Sequence, residues 1–331
     1  MGQAVEQLEI EHQIAWMAER LGALKAELHK VMVGQDEVIE GVLLGMLAGG
    51  HVLLEGVPGL GKTLLVRTLA QAMDLHFSRV QFTPDLMPSD IIGAQILADD
   101  GKGGRALVFQ EGPVFTNILL ADEINRATPK TQSALLEAMQ ERSVTVGRTT
   151  YPLTPPFFVL ATQNPLEMEG TYVLPEAQLD RFLFKIDVPF PSDKELTEIA
   201  TRTVRSVQAT VQPVLSGLDI LTIQHFAVDC PIAPHVIEFA VKLVGGSHGR
   251  LAAAKQYLRG GASPRAVQAL VAGAKLRALL QGRLNGSIDD VKALAKPVLR
   301  HRLLLNFDAE ADRVRPDQVI EQMIAELDRQ R

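Results

Sequence analysis

Among 331 residues there is one cysteine, Cys230. A single cysteine excludes an internal disulfide framework, cannot by itself form a thiolate zinc site, and leaves the thiol to be read as a small buried apolar group. Aromatic residues are scarce, at 5%, with a single tryptophan, Trp16. Aromatic platforms that stack single-stranded nucleic acid are therefore not expected. Excess positive charge is missing as well. The net charge is -6, so no global basic field draws the chain to DNA or to an anionic membrane. The longest apolar run, Val42 to Val57, is short for a membrane span and is broken by Gly45, Gly49, Gly50 and His51. The start, "MGQAVEQLEIEHQ", has no apolar run of the signal-peptide kind, and Glu6 stands where a myristoylation pattern needs Ser or Thr. A soluble cytoplasmic protein is the expectation.

What is present is a 47% apolar chain, long enough for one large domain or two ordinary ones. Residues 1–32 read as an amphipathic helix, with Leu8, Ile10, Ile14, Met17, Leu21 and Leu24 at helical spacing. Residues 33–191 alternate strand and helix. Five candidate strands lie at 51–56, 76–82, 117–122, 157–162 and 182–188, with helices at 62–74 and 128–142, the second capped by Thr128 and started by Pro129. Several of these strands are unbroken apolar runs, which suits parallel strands covered on both faces of a doubly wound α/β domain. After "PFPSD" (189–193) the pattern becomes almost wholly helical, with loops at "QPVLSG" and "LRGGASP", so a smaller all-α domain is expected over 192–331. There is no internal repeat or low-complexity tract.

"GVPGLGKT" runs from Gly56 to Thr63 as G-x-x-x-x-G-K-T, between an apolar strand and a helix. Its glycines let backbone N–H groups turn inward around phosphate oxygens, and the helix start adds partial positive charge. Gly56, Val57, Pro58, Gly59, Leu60, Gly61, Lys62 and Thr63, with Leu64 after them, form the expected nucleotide loop. Lys62 would reach the β- and γ-phosphates of ATP, and Thr63 would hold Mg²⁺. "ILLADE" then puts Asp122 and Glu123 at the carboxyl end of a strand, the edge where open α/β sheets bind ligands. Asp122 is expected on Mg²⁺ and Glu123 on the attacking water, as the group that orients it and takes its proton. "FFVLATQNP" ends a strand with Asn164, either a turn initiator or an amide that holds that water or the γ-phosphate. The strand of Asn164 is expected beside that of Glu123.

At this point the sequence resembles an AAA+ ATPase, and closely the MoxR family. The resemblance is carried by "VGQ" (33–35), "GVPGLGKT", "TPDLMPSDIIG" (83–93), "FQEGPVF" (109–115), "LLADEINRA" (119–127), "LLEAMQER" (135–142), "ATQNP" (161–165), "EGTYVLPEAQLDRF" (169–182) and "SPRA" (263–266). Val173 departs from it, since the family most often has Pro there. The resemblance implies an AAA+ P-loop core with a five-stranded parallel sheet and a helix-and-hairpin insert over 84–112, a second hairpin near 143–153, and an all-α lid. It implies that Val33, Gly34 and Gln35 border the adenine. Asn164 would be the first sensor, Arg265 the second sensor on the γ-phosphate, and Arg181 an arginine finger given to a neighbouring subunit. Arg126 and Arg142 are lesser candidates, read as structural residues at helix ends. Self-association into a ring, expected to be hexameric, is implied, with both hairpins toward a central pore. So are a partner bearing a von Willebrand factor A domain and a protein client whose complex is remodelled. Two other readings stay open: a nucleic-acid-associated motor, for which Lys102 and Arg105 on "DDGKGGR" offer only a small basic tip, and a chelatase-type motor subunit.

Overall fold

The computed structural model describes residues 2–99, 105–165, 171–204 and 209–330. A long helix, Gly2–Val31, opens the chain. Its apolar stripe of Met17, Leu21, Leu24 and Leu28 is buried, against the helices Lys62–Ala72 and Pro264–Leu280. Nine strands follow in the first part of the described chain: β1 (Val52–Glu55), β2 (Phe77–Gln81), β3 (Gly93–Asp99), β4 (Arg105–Glu111), β5 (Ile118–Asp122), β6 (Ser143–Val146), β7 (Thr149–Pro152), β8 (Phe158–Gln163) and β9 (Phe184–Asp187). Five of them make one sheet in the order β2-β5-β8-β1-β9, every pair parallel.

The sheet explains which strands read as unbroken apolar runs. β5 and β8 lie inside it with a layer on each face, and Ile118–Ala121 and Phe158–Thr162 are buried without interruption. β2 and β9 are edge strands. β9 alternates in burial and β2 buries only Val80. Parallel neighbours need crossovers, and the helices Lys62–Ala72 and Pro129–Glu141 supply them. Thr128 occupies the position before the second helix, but its hydroxyl does not cap it. The hydroxyl lies 3.3 Å from that of Thr131 instead, so Pro129 is left to fix the start.

The expected insert is a short helix, Pro88–Ile92, followed by the antiparallel hairpin β3–β4. A second hairpin, β6–β7, lies beside it, and Phe109 of β4 stacks on Tyr151 of β7 with centroids 4.0 Å apart. Lys102 at the first hairpin's tip falls outside the described residues.

Beyond β9 the described chain is mostly helical, apart from a parallel bridge between Ile232 and Gly286 and a short strand pair. Leu258–Gly260, inside the segment expected as a loop, pairs antiparallel with Leu304–Leu305. Cys230 is buried, as expected of an apolar group. No helix among the described residues is long and apolar enough to cross a membrane.

His51, just before β1, ties three elements together. Its Nδ1 accepts from the Val159 N–H (3.0 Å), so Nε2 carries the proton and donates to the Met139 carbonyl (3.0 Å). Burial holds its pKa down at about 4, against the Met139 hydrogen bond and with help from Arg142. His301 is buried and shifted the same way. The unfolded imidazole titrates near 6.5, so between the two values the unfolded chain binds more protons. Stability is therefore full above pH about 6.5 and is lost as pH falls toward 4, by roughly 3 kcal/mol for His51. Thermal unfolding midpoints should drop between pH 7 and pH 5. A flat profile there would show that His51 is not held neutral.

Candidate nucleotide site

The strands all point one way, so their carboxyl ends share one edge of the sheet. The register sets Glu55 beside Gln163 and Asp187, and Gln81 beside Asp122. The phosphate-type loop leaves β1 at this edge. Gly61 (φ 77°) begins the helix Lys62–Ala72, and Gly59 has φ 85°. Side chains rarely adopt that backbone region. A Cβ at Gly59 would meet nothing within 4 Å, so the glycine is required by conformation and the loop is open there. Gln35 holds the loop from the side, its Nε2 donating to the Leu60 carbonyl (3.1 Å). Gly34 and Gln35 are both left-handed, and a Cβ at Gly34 would fall 1.7 Å from a Glu195 oxygen. The segment of Val33, Gly34 and Gln35 is thus pressed between the loop and the helix Asp193–Val204.

Lys62 folds its ammonium onto the Gly56 carbonyl. Burial lowers its pKa, opposed by the carboxylates of Asp122, Glu123 and Glu55 nearby. Thr162 of β8 organises the two acids. Its hydroxyl donates to Asp122 Oδ1 (2.7 Å) and accepts from the Glu123 N–H (2.8 Å). Arg79 of β2 donates to Asp122 Oδ2 from Nη2 (2.7 Å) and Nε (3.2 Å). Glu123 itself is left-handed, φ 56°, a strained conformation for a residue with a side chain. Its Oε2 is held by Gln81 Nε2 (2.7 Å) and by Arg126 Nε (3.1 Å). Asn164 follows β8, buried, one strand over from Glu123. A left-handed glycine cradle at a helix N-terminus, with a lysine folded over it, fits a nucleotide's phosphates. The Thr63 hydroxyl and Asp122 carboxylate are the hard oxygen donors Mg²⁺ takes.

Arg181 and Arg265 lie elsewhere. Arg181 sits just before β9, and Leu183 pairs with His51 at the amino edge of β1 (Leu183 N to His51 O, 2.8 Å). From Gly50 to Gly56 is about 20 Å at strand rise. A second ruler agrees. The helix Asp36–Leu47 begins at Gln35, bonded to the phosphate loop, and ends at Ala48. Its 12 residues span about 18 Å. Ala48 and Gly50 line a cavity of about 300 Å³ together with Asp180, Arg181, Arg265 and Arg302. Arg265 is therefore beside Arg181 rather than over the phosphate loop of its own chain. Arg142 bonds the Gly49 carbonyl (3.0 Å) at the same edge, a structural contact. Arg79, Gln81 and Thr162 did not stand out in the sequence, and Asp180 stood out only as the acid beside Arg181, the pattern of a surface ion pair. For Gln81 a signal existed, a polar residue ending a strand at the shared edge.

Residues 51–184 match the family described as ATPases associated with various cellular activities, and residues 250–323 match an AAA lid domain. The chain is 46% identical to "Chaperone MoxR1" of Mycobacterium tuberculosis, over 90% of this chain and 79% of that protein. It is 33% identical to "Protein MoxR" of Paracoccus denitrificans, over 88% and 90% of the two chains. A solved structure of a candidate ATPase from Cytophaga hutchinsonii superposes with a TM-score of 0.90 at 43% identity, covering 97% of this chain and 98% of that one.

Two substitutions separate binding from chemistry at this edge. Lys62→Ala should weaken nucleotide binding about 10- to 100-fold, the worth of a charged hydrogen bond, read by titration. Glu123→Gln keeps the shape and should leave binding intact while ATP turnover falls about 10²- to 10⁴-fold. Near-normal turnover would remove Glu123 from the chemistry.

Proposed function

The chain belongs to the MoxR family of AAA+ ATPases, and from that premise we propose that it hydrolyses ATP at sites shared between neighbouring copies in a ring, six in the expected assembly, and uses the cycle to remodel protein complexes. In this reading the phosphate loop and Lys62 bind and orient the β- and γ-phosphates. Thr63 and Asp122 would hold Mg²⁺, which polarises the phosphate oxygens when bound. Glu123 orients the attacking water and takes its proton. Asn164 hydrogen-bonds that water or the γ-phosphate, and Val33, Gly34 and Gln35 border the base. Thr162 and Arg79 keep Asp122 in place while Gln81 and Arg126 keep Glu123 in place.

One observation carries the shared site: the phosphate loop leaves the carboxyl end of β1, while Arg181 and Arg265 line the cavity beside Gly50 at its amino end, an offset of roughly 20 Å by strand rise. An arginine side chain cannot bridge that distance, so neither Arg181 nor Arg265 can serve the nucleotide of its own chain. Both can serve a nucleotide presented by a neighbour that docks its carboxyl edge on this amino edge. Head-to-tail contacts of that kind form a ring when the rotation between copies closes.

The protein-client reading has support at the insert. Ile96, Leu97, Leu107 and Val108 are exposed on the β3–β4 hairpin, and Ile96 pairs with Val108 and Leu97 with Leu107. The ribbon therefore offers apolar side chains on both faces, which suits a polypeptide better than a phosphate backbone. A partner with a von Willebrand factor A domain would be the intermediary that the family resemblance implies.

The trans assignment is tested by mixing two inactive variants, Lys62→Ala and Arg181→Ala. Loss of a finger costs about 10³- to 10⁵-fold in turnover, so each alone should be nearly dead. Mixed rings contain interfaces that join an intact loop to an intact Arg181, roughly one in four under random equal mixing of a head-to-tail ring. ATPase activity should partly return. Zero activity in verified mixed rings, when dilution of the wild type by either variant lowers activity gradually, would show that Arg181 acts within its own chain.

A further inference from the structure

Asp180 and Arg181 are neighbours in sequence, yet their side chains part. Arg181 donates to the Leu136 carbonyl (2.8 Å). The Asp180 carboxylate turns the other way, to the lid. Its Oδ1 accepts from Arg302 Nε (2.7 Å), both oxygens lie 2.9 Å from Ser263 Oγ, and Oδ2 is 3.4 Å from Arg265 Nη1. Arg302 is 2% exposed in its side chain, and its guanidinium also donates to the carbonyls of Phe182 (2.7 Å) and Leu183 (3.1 Å). The segment from Asp180 to Leu183 is thus fastened to the lid by a cation that the carboxylate makes tolerable in the interior.

Fastening does not account for the rest of the geometry. Ser263 caps the helix that carries Arg265, its Oγ accepting from the Arg265 N–H (3.3 Å). The same hydroxyl is bound by Asp180, whose second oxygen faces the Arg265 guanidinium. One carboxylate therefore fixes the start of the helix, the direction of Arg265 and the backbone that leads into Arg181. We propose that Asp180 is the positioning residue that presents Arg181 and Arg265 as a single unit to the phosphates held by the neighbouring copy. The proposal rests on the shared-site reading above. Both arginines are long and flexible, and a displacement near 1 Å at such a group costs about 10²-fold in rate.

The test is Asp180→Asn. The amide keeps the shape and can still accept from Arg302, but it withdraws the counter-charge from both Arg302 and Arg265. ATP affinity should be retained, because the phosphate loop lies across the sheet, while the kcat of assembled rings falls about 10- to 100-fold. The reading that a merely structural role would not produce is recovery in trans. Mixed with Lys62→Ala, the Asp180→Asn chain offers a sound phosphate loop to a sound arginine pair, and part of the activity should return. A kcat close to wild type would overturn the proposal. So would a loss that Lys62→Ala does not relieve although it relieves Arg181→Ala, which would place the effect of Asp180 inside its own chain. If the Arg181→Ala mixture itself stays silent, the shared-site reading falls and this proposal falls with it. Should Asp180→Asn not form rings, Ser263→Ala decides. It removes one lid donor to the same carboxylate, and an unchanged kcat would overturn the proposal, whereas a reduced kcat recovered by mixing would support it.

Discussion

Parallel strand direction is the constraint on which the rest depends. A parallel sheet has two unlike edges. All carboxyl ends fall on one, and helix starts and loops gather there. The segments that feed the strands fall on the other. Here the loop of Gly56–Thr63, Asp122, Glu123 and Asn164 share the first edge, while Arg181, Arg265 and Arg302 gather at the second. The phosphate loop and these arginines are separated by about the length of a strand.

Within the carboxyl edge the charges are balanced before any ligand arrives. Lys62 is drawn inward among Asp122, Glu123 and Glu55. The two acids in turn have cationic or amide partners in Arg79, Arg126 and Gln81. Buried carboxylates without partners would be costly. The partners chosen come from β2 and from the turn after β5, elements that frame the site without occupying the phosphate loop. Thr162 is the centre of this arrangement. A hydroxyl both donates and accepts, so one side chain can hold a carboxylate oxygen and a backbone N–H in adjacent residues. Valine at this position would match its volume and lose both bonds, which is why a buried threonine stands near the end of a strand that is apolar up to that point.

Much of the fold was legible because parallel central strands leave an unmistakable apolar signature, and because the phosphate loop joins conformational and chemical requirements in eight consecutive residues. The expected strands at 117–122 and 157–162 became β5 and β8, side by side. What was not legible depended on register or on distant sequence. Gln81 becomes a partner of Glu123 only once β2 is set against β5. Asp180 looks locally like half of an ion pair with Arg181, but its partner is Arg302, 122 residues on. The place of Arg265 could not be read either. Its helix starts at the amino edge because the lid packs along the helix Asp36–Leu47, with Arg277 reaching Glu40 (3.6 Å). The Thr128 cap failed for a local reason, since the hydroxyl turned to Thr131 rather than to the helix N–H groups.

The three arginines at the amino edge divide between two tasks that call for opposite environments. Arg302 is buried and bonded on most sides, and the cost of desolvating it is met by Asp180 and by carbonyls that no other donor could satisfy so fully. Such a pair adds little stability over an apolar equivalent. It ties the lid to the core at a point where a slip would leave a charge unpaired. Arg265 has 48% of its side chain exposed and Arg181 is half-buried, each held by a single modest contact that a phosphate could replace at small cost. The tie made by the buried arginine is what gives the exposed ones a defined place to point, so the precision of the outward-facing pair is inherited from a contact that faces wholly inward.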